Sequence, residues 1–220
     1  VQALTLESLG YAALQAGPEF AAWLADRRSR KQSRMLAAKE DLIILERDGD
    51  ELRVVLNSPE TRNSLSAAMR DRLTEAFRLV AMDPGITRVT IAGNGASFCA
   101  GGDLEEFGLL SDPVAAHRTR LLRMPARFLA PEAARYEFRL HGACIGAGIE
   151  LPAFASRLSA TPDTFFQLPE VGMGLIPGAG GCVSIPRRIG RQRAAFMAIT
   201  GHRIPAQQAL AWGLIDAIEA

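Results

Sequence analysis

Two segments rich in small residues, each set between a run that reads as a strand and a run that reads as a helix, limit the possible folds of this chain more than any other feature. The first is Ser97-Phe98-Cys99-Ala100-Gly101-Gly102-Asp103-Leu104, and the second is His141-Gly142-Ala143-Cys144-Ile145-Gly146-Ala147-Gly148-Ile149-Glu150. Small residues at such junctions let a ligand approach the backbone, and the N–H groups of a first helical turn have no intrahelical partners. Two such donors aimed at one oxygen make an oxyanion hole. A glycine after a strand is more often only a turn, so the loops need support from the rest of the chain.

The surrounding pattern is mixed α/β. Residues 1–40 read as a helical N-terminal extension broken near Gly17-Pro18, with apolar stripes of Leu4, Leu6, Leu9, Ala13 and Leu14, then Phe20, Trp23 and Leu24. The run Arg27-Arg28-Ser29-Arg30-Lys31 closes it, and reads first as a solvated helix end favoured by the dipole. Residues 41–220 form the core. There, 42–46 and 52–56 flank a turn at Asp48-Gly49-Asp50 and predict a hairpin. Ser66 is placed to cap a helix reaching Met82, with Met69, Leu73, Ala76, Phe77 and Val80 on one face. The rest predicts strands at 86–92, 136–140, 158–161, 164–167 and 214–216, with helices at 113–128 and across 181–212. Strands interleaved with helices define an α/β domain.

Bulk properties narrow the function by exclusion. The chain has 220 residues, 48% of them hydrophobic, enough for one substantial core. Its 25 basic and 24 acidic residues give a net charge of +1, which offers no field for nucleic acid or an anionic membrane. No apolar run approaches the roughly 18–20 residues that span a bilayer. Cys99, Cys144 and Cys182 are scattered without a CxxC pair, which points to a reduced, cytoplasmic setting. The chain begins at Val1 rather than methionine, which leaves room for a removed leader. No Gly-Lys pair exists for a phosphate-binding loop, Glu150 stands where a dinucleotide fingerprint needs its third glycine, and G-x-S-x-G is absent. His117 and His202 lack metal-ligand spacing, so no metal site is expected. His141 and Cys144 suggest a nucleophile–base pair only weakly, and Cys99 reads as a small packing residue.

Five segments in order make the chain similar to the crotonase (enoyl-CoA hydratase/isomerase) superfamily over roughly residues 42–218. They are Leu56-Asn57-Ser58-Pro59-Glu60-Thr61-Arg62-Asn63-Ser64-Leu65, then Phe98 to Leu104, then Gly142 to Leu151, then Leu168-Pro169-Glu170 through Gly174-Leu175-Ile176-Pro177-Gly178-Ala179-Gly180-Gly181, and lastly Gly201-His202-Arg203-Ile204 with Gly213-Leu214-Ile215-Asp216. The resemblance implies a ββα spiral core. It also marks two departures: an added N-terminal helical extension and no usual C-terminal helical module.

By the same resemblance, the substrate is an acyl-CoA thioester and no cofactor is needed beyond its CoA moiety. The thioester carbonyl would be polarised by the N–H groups of Gly102 and Ala147. Alanine at 147, where many relatives carry glycine, keeps the donor and adds a methyl that narrows the acyl pocket. Glu150 and Glu170 fall at the positions of the two catalytic glutamates, with the N–H of Gly178 near the reacting water. Substrate contacts would come from Arg62, Ser64, Ala100, Gly102, Asp103, Leu104, Gly146, Ala147 and Pro169, with Arg62 at a phosphate, although an exposed arginine is more commonly just solvated. Apolar neighbours Ile149, Leu151, Pro169 and Val171 are expected to raise both carboxyl pKa values. Keeping both glutamates favours hydration or dehydration in fatty-acid metabolism. An enoyl-CoA isomerase or another crotonase-type reaction through the same enolate, and a non-catalytic acyl-CoA-binding or scaffold subunit, are the alternatives. A homotrimer or hexamer is implied, with residues 1–40 substituting at the subunit interface for the missing C-terminal module.

Overall fold

The computed structural model describes residues 2–30 and 41–219. The hairpin falls where the alternating pattern put it. Strands β1 (Ile43–Asp48) and β2 (Glu51–Leu56) pair antiparallel, with Ile43 opposite Leu56 and Asp48 opposite Glu51. Gly49 turns the chain with a φ of 57°, a conformation that costs glycine little. Alternation along β2 buries Leu52, Val54 and Leu56. Helix α3 (Ala67–Met82) packs its face of Met69, Leu73, Ala76, Phe77 and Val80 into the same core, and its cap is Ser66, whose side chain accepts the Met69 N–H.

Parallel strands then extend the sheet: β3 (Arg88–Gly93), β4 (Tyr136–Leu140), β6 (Arg157–Ala160) and β9 (Ala217–Ile218), in the order β1-β2-β3-β4-β6-β9. A smaller sheet holds β5 (Ala143–Ile145), β7 (Phe165–Gln167) and β8 (Ile204–Pro205) in that order. The chain passes from β4 to β5 and from β6 to β7, so it alternates between the two layers. Each passage leaves a loop at the same end of the core. Between and beside the strands lie α4 (Pro113–Arg123), α5 (Ala126–Leu129), α6 (Ala147–Glu150), α7 (Gly181–Thr200) and α8 (Ala206–Trp212).

Four sequence expectations need correction. The helix expected over 113–128 splits into α4 and α5 at Met124, because Pro125 forces the residue before it out of the helical region. The region 181–212 is interrupted by the β8 segment after α7 ends at Gly201 (φ 61°). The bounds of two strands shift together as a third correction, with the last strand at 217–218 rather than 214–216 and the strand after α3 beginning at Arg88 rather than at residue 86.

The fourth correction concerns the N-terminal helices, α1 (Gln2–Gln15) and α2 (Pro18–Arg30). Of the α1 stripe read from the sequence, Leu6, Leu9 and Leu14 are exposed, at 69%, 49% and 37%. The buried face is Leu4, Glu7, Ser8, Tyr11 and Ala12. Leu4 joins Met124, Ala126, Leu151 and Val183 in one apolar cluster, and Tyr11 joins Phe20 and Leu175 in another. Ser8 reaches His117 of α4 at 2.9 Å. Lys31, at the end of the basic run, lies outside the described residues, while Arg27 pairs with Glu105 at 2.9 Å. Among the described residues, no helix is long and apolar enough to cross a membrane.

Candidate active site

The two glycine loops lie side by side. Cys99 and Cys144 form a parallel bridge, and the Ile145 N–H donates to the Cys99 carbonyl at 3.0 Å. Only glycine allows this approach: a Cβ on Gly148 would sit 2.3 Å from the Cys99 carbonyl oxygen. Gly102 bridges Leu65, but the bonds on either side are Leu65 N–H to Gly101 C=O and Asp103 N–H to Leu65 C=O, so the Gly102 N–H stays out of that ladder. Ala147 opens α6, and its N–H therefore precedes the first intrahelical bond. The Ala147 side chain is buried, with Leu151 one turn further along the same short helix. The first loop is braced by Asn63, fully buried, whose Nδ2 donates to the carbonyls of Asn94, Ser97 and Phe98 while its Oδ1 accepts from Ser58. Of the remaining substrate-binding candidates, Arg62 is exposed, and its carbonyl accepts the Ala100 N–H at 2.9 Å. Ser64, Ala100, Asp103, Leu104 and Pro169 are half-buried around the two loops, and Gly146 is buried there.

Glu150, at the end of α6, is 2% exposed. Its Oε2 accepts the N–H groups of Ala179 (2.7 Å) and Gly181 (2.9 Å) at the start of α7, and its carbonyl accepts the Ser184 hydroxyl. Burial raises its pKa to about 7, and those two N–H donors with the Arg120 charge limit the rise. Glu170 opens a short 3₁₀ turn that follows β7. Its Oε2 is buried without a hydrogen-bond partner. Burial first, then the charge of Glu150, holds its carboxyl well above the ordinary range. The two carboxyls meet across Gly146: a Cβ there would lie 2.6 Å from Glu170 Oε1 and 3.7 Å from Glu150 Oε1. The sequence expectation of two raised carboxyl pKa values therefore agrees with the structure.

The structure also brings in residues that sequence reasoning missed. Glu7 of α1 is 4% exposed and accepts from Gly180 and Cys182, on the same turn that holds Glu150. The Tyr11 ring lies against Gly178, where a Cβ would come within 2.2 Å of it. The guanidinium of Arg120 stacks over that ring at 3.7 Å. Phe107 packs on Gly102 and meets Phe20 and Trp23 of α2. A signal for Glu7 was present in the sequence: it is the single charged residue in α1, three to four positions from both Leu4 and Tyr11. Among the described residues, no group of His, Cys, Asp and Glu side chains is arranged to hold a metal. His141 bonds the Gly95 carbonyl, and Cys144 contacts the His141 carbonyl rather than its ring.

The mixed α/β fold is that of enoyl-CoA hydratase structures. The enzyme from Mycobacterium smegmatis superimposes with a TM-score of 0.74 at 31% identity, covering 82% of this chain and 71% of that one. The family model for enoyl-CoA hydratase/isomerase matches residues 51–220. The 2,3-dehydroadipyl-CoA hydratase of Escherichia coli is 33% identical over 176 residues, or 79% of this chain and 68% of that enzyme. The mitochondrial enoyl-CoA hydratase of Pongo abelii is 30% identical over 171 residues, 75% of this chain and 56% of its own length. The chain thus spans between 56% and 68% of the length of four curated relatives it matches. It belongs to the enoyl-CoA hydratase/isomerase family of the crotonase superfamily.

Proposed function

We propose that the chain catalyses addition of water to a 2-enoyl-CoA thioester, or the reverse, through an enolate held by the N–H groups of Gly102 and Ala147. The observation that carries this reading is the difference between two neighbouring carboxyls. Glu150 is tethered by two backbone N–H donors that favour its ionised form, whereas Glu170 has a buried oxygen that meets no donor among the described residues, and burial with the Glu150 charge favours its protonated form. A pair split in this way supplies a base and an acid at the same pH. Glu150, ionised, takes the proton of the water attacking C3, through the Oε1 that no backbone donor occupies. Glu170, protonated, delivers its proton to C2. Fixed backbone dipoles suit the enolate oxygen because they need no reorganisation as charge develops. Arg62, Ser64, Ala100, Asp103, Leu104, Gly146 and Pro169 are proposed to line the CoA and acyl path, and Gly178 to border the water.

The test is to follow loss of the conjugated enoyl absorbance with a panel of enoyl-CoA thioesters. E150Q and E170Q are each expected to lower kcat by about 100-fold or more. Undiminished turnover in both variants would overturn the assignment. Movement of the double bond without water uptake, traced with labelled water, would instead make the enzyme an isomerase.

A further inference from the structure

The first turn of α7 presents four successive N–H groups, and two carboxyls divide them. Glu150 Oε2 takes those of Ala179 and Gly181, at 2.7 and 2.9 Å. Glu7 takes the alternate pair, Gly180 through Oε1 at 2.7 Å and Cys182 through Oε2 at 2.8 Å. The turn is thus clamped from both sides, by α6 from within the core and by α1 from the extension. Because the two pairs alternate along one turn, moving either carboxyl disturbs the peptide units next to those that the other holds. An anion at a helix N-terminus is favoured by the dipole, but a second one nearby opposes it.

We propose that Glu7 is a positioning residue of the reaction centre: its carboxyl fixes the turn that orients Glu150, and its charge biases the protonation of the Glu150–Glu170 pair. The α1 helix is then part of the active site rather than only a cover for it. The inference rests on the hydratase reading for its kinetic consequence, but not for its titration.

Among the described residues, charged or titratable groups face Glu7 from several elements. Glu150 approaches from α6 and Glu170 from the turn after β7. Arg120 approaches from α4, Cys182 is on α7, and Tyr11 is on α1 itself. His117 reaches the neighbouring Ser8. Burial and then the Glu150 charge push Glu7 up to about 8, against the pull of its two N–H donors and Arg120. As pH rises past that point, a second negative charge appears beside the base and the acid. That charge disfavours the enolate, so Glu7 ionisation sets the alkaline limb of the reaction.

Two variants and one ligand-free measurement test this. E7Q keeps the side-chain shape but can accept from only one of the two N–H groups. It is expected to lower kcat about tenfold with KM within about twofold. It should also move the alkaline limb of kcat/KM upward by about one pH unit. E7D restores the charge, so its limb should stay near that of the wild type although kcat falls. Limbs that superimpose in all three proteins would reduce Glu7 to a helix cap and overturn the proposal. Carbon-13 NMR titration of labelled glutamate carboxyls in the substrate-free protein supplies the second arm. Glu7, Glu150 and Glu170 should each titrate above the ordinary carboxylate range, and Glu170, which the Glu7 charge raises, should titrate lower in E7Q. If the wild type turns over no enoyl-CoA, the hydratase reading fails while this titration still decides. A Glu7 signal at an ordinary carboxylate pKa in the wild type overturns the inference whether or not the variants fold.

Discussion

At the scale of single residues, the site is built by glycines that permit contacts no other residue allows. Gly148 is the sharpest case, because the atom its Cβ would strike is the Cys99 backbone oxygen, 2.3 Å away, which cannot swing aside as a side chain can. G148A should therefore separate the two loops that carry Gly102 and Ala147. We expect kcat to fall about 100-fold, the loss typical of a misplacement of about 1 Å. Stability should fall by about 1–3 kcal/mol, as for an overpacked core. G172A is the control, since nothing lies within 4 Å of the added methyl. Enoyl-CoA turnover and urea unfolding of the two variants check this, and equal behaviour would show that loop contact does not control the reaction.

At the scale of elements, α1 shows what the sequence conveys and what it hides. The hairpin and α3 were legible because their periodicity is clean: Leu52 and Val54 alternate with exposed Glu51 and Arg53, and Met69, Leu73 and Phe77 recur at helical spacing. The two carboxyls proposed as acid and base were legible because each sits inside a local motif, Gly146-Ala147-Gly148-Ile149-Glu150 and Leu168-Pro169-Glu170. Glu7 was not, because its partners Gly180 and Cys182 lie more than 170 positions away and accept no pattern-based prediction. The hydrophobicity of α1 even points the wrong way, since Leu6 and Leu9 face outward while a glutamate and a serine face inward. Burial of those polar groups is stable only because each has a partner. Substitution separates the two faces. L4A removes a buried side chain and should cost about 2–4 kcal/mol. L6Q changes an exposed one and should stay within about 0.5 kcal/mol. Denaturant midpoints read both, and a larger loss for L6Q would mean that its side chain is covered in solution.

At the scale of the whole molecule, a centre that keeps three carboxyls out of water makes folding itself depend on pH. Glu7 rises from 4.5 to about 8, Glu150 from 4.5 to about 7, and Glu170 well above its ordinary value, all chiefly through burial. Each binds its proton more tightly folded than unfolded, so each contributes stability that is full below the unfolded pKa and is lost as pH rises through the folded one. Asp50, Asp83, Asp163 and Glu219 are shifted the other way, downward, by hydrogen bonds at the surface. Their contribution is already complete above the unfolded carboxylate range, so it does not change in the same window. The net expectation is a melting temperature that declines from about pH 5 to about pH 8, steepest just above the unfolded carboxylate range and levelling off as Glu150 and Glu7 ionise in the folded state. E7Q and E150Q remove one ionisation each and should flatten that decline, because a neutral amide has no proton to lose. Thermal melts across this range check it; a wild-type protein that grew more stable toward pH 8 would mean that these carboxyls are ionised and solvated in the folded state.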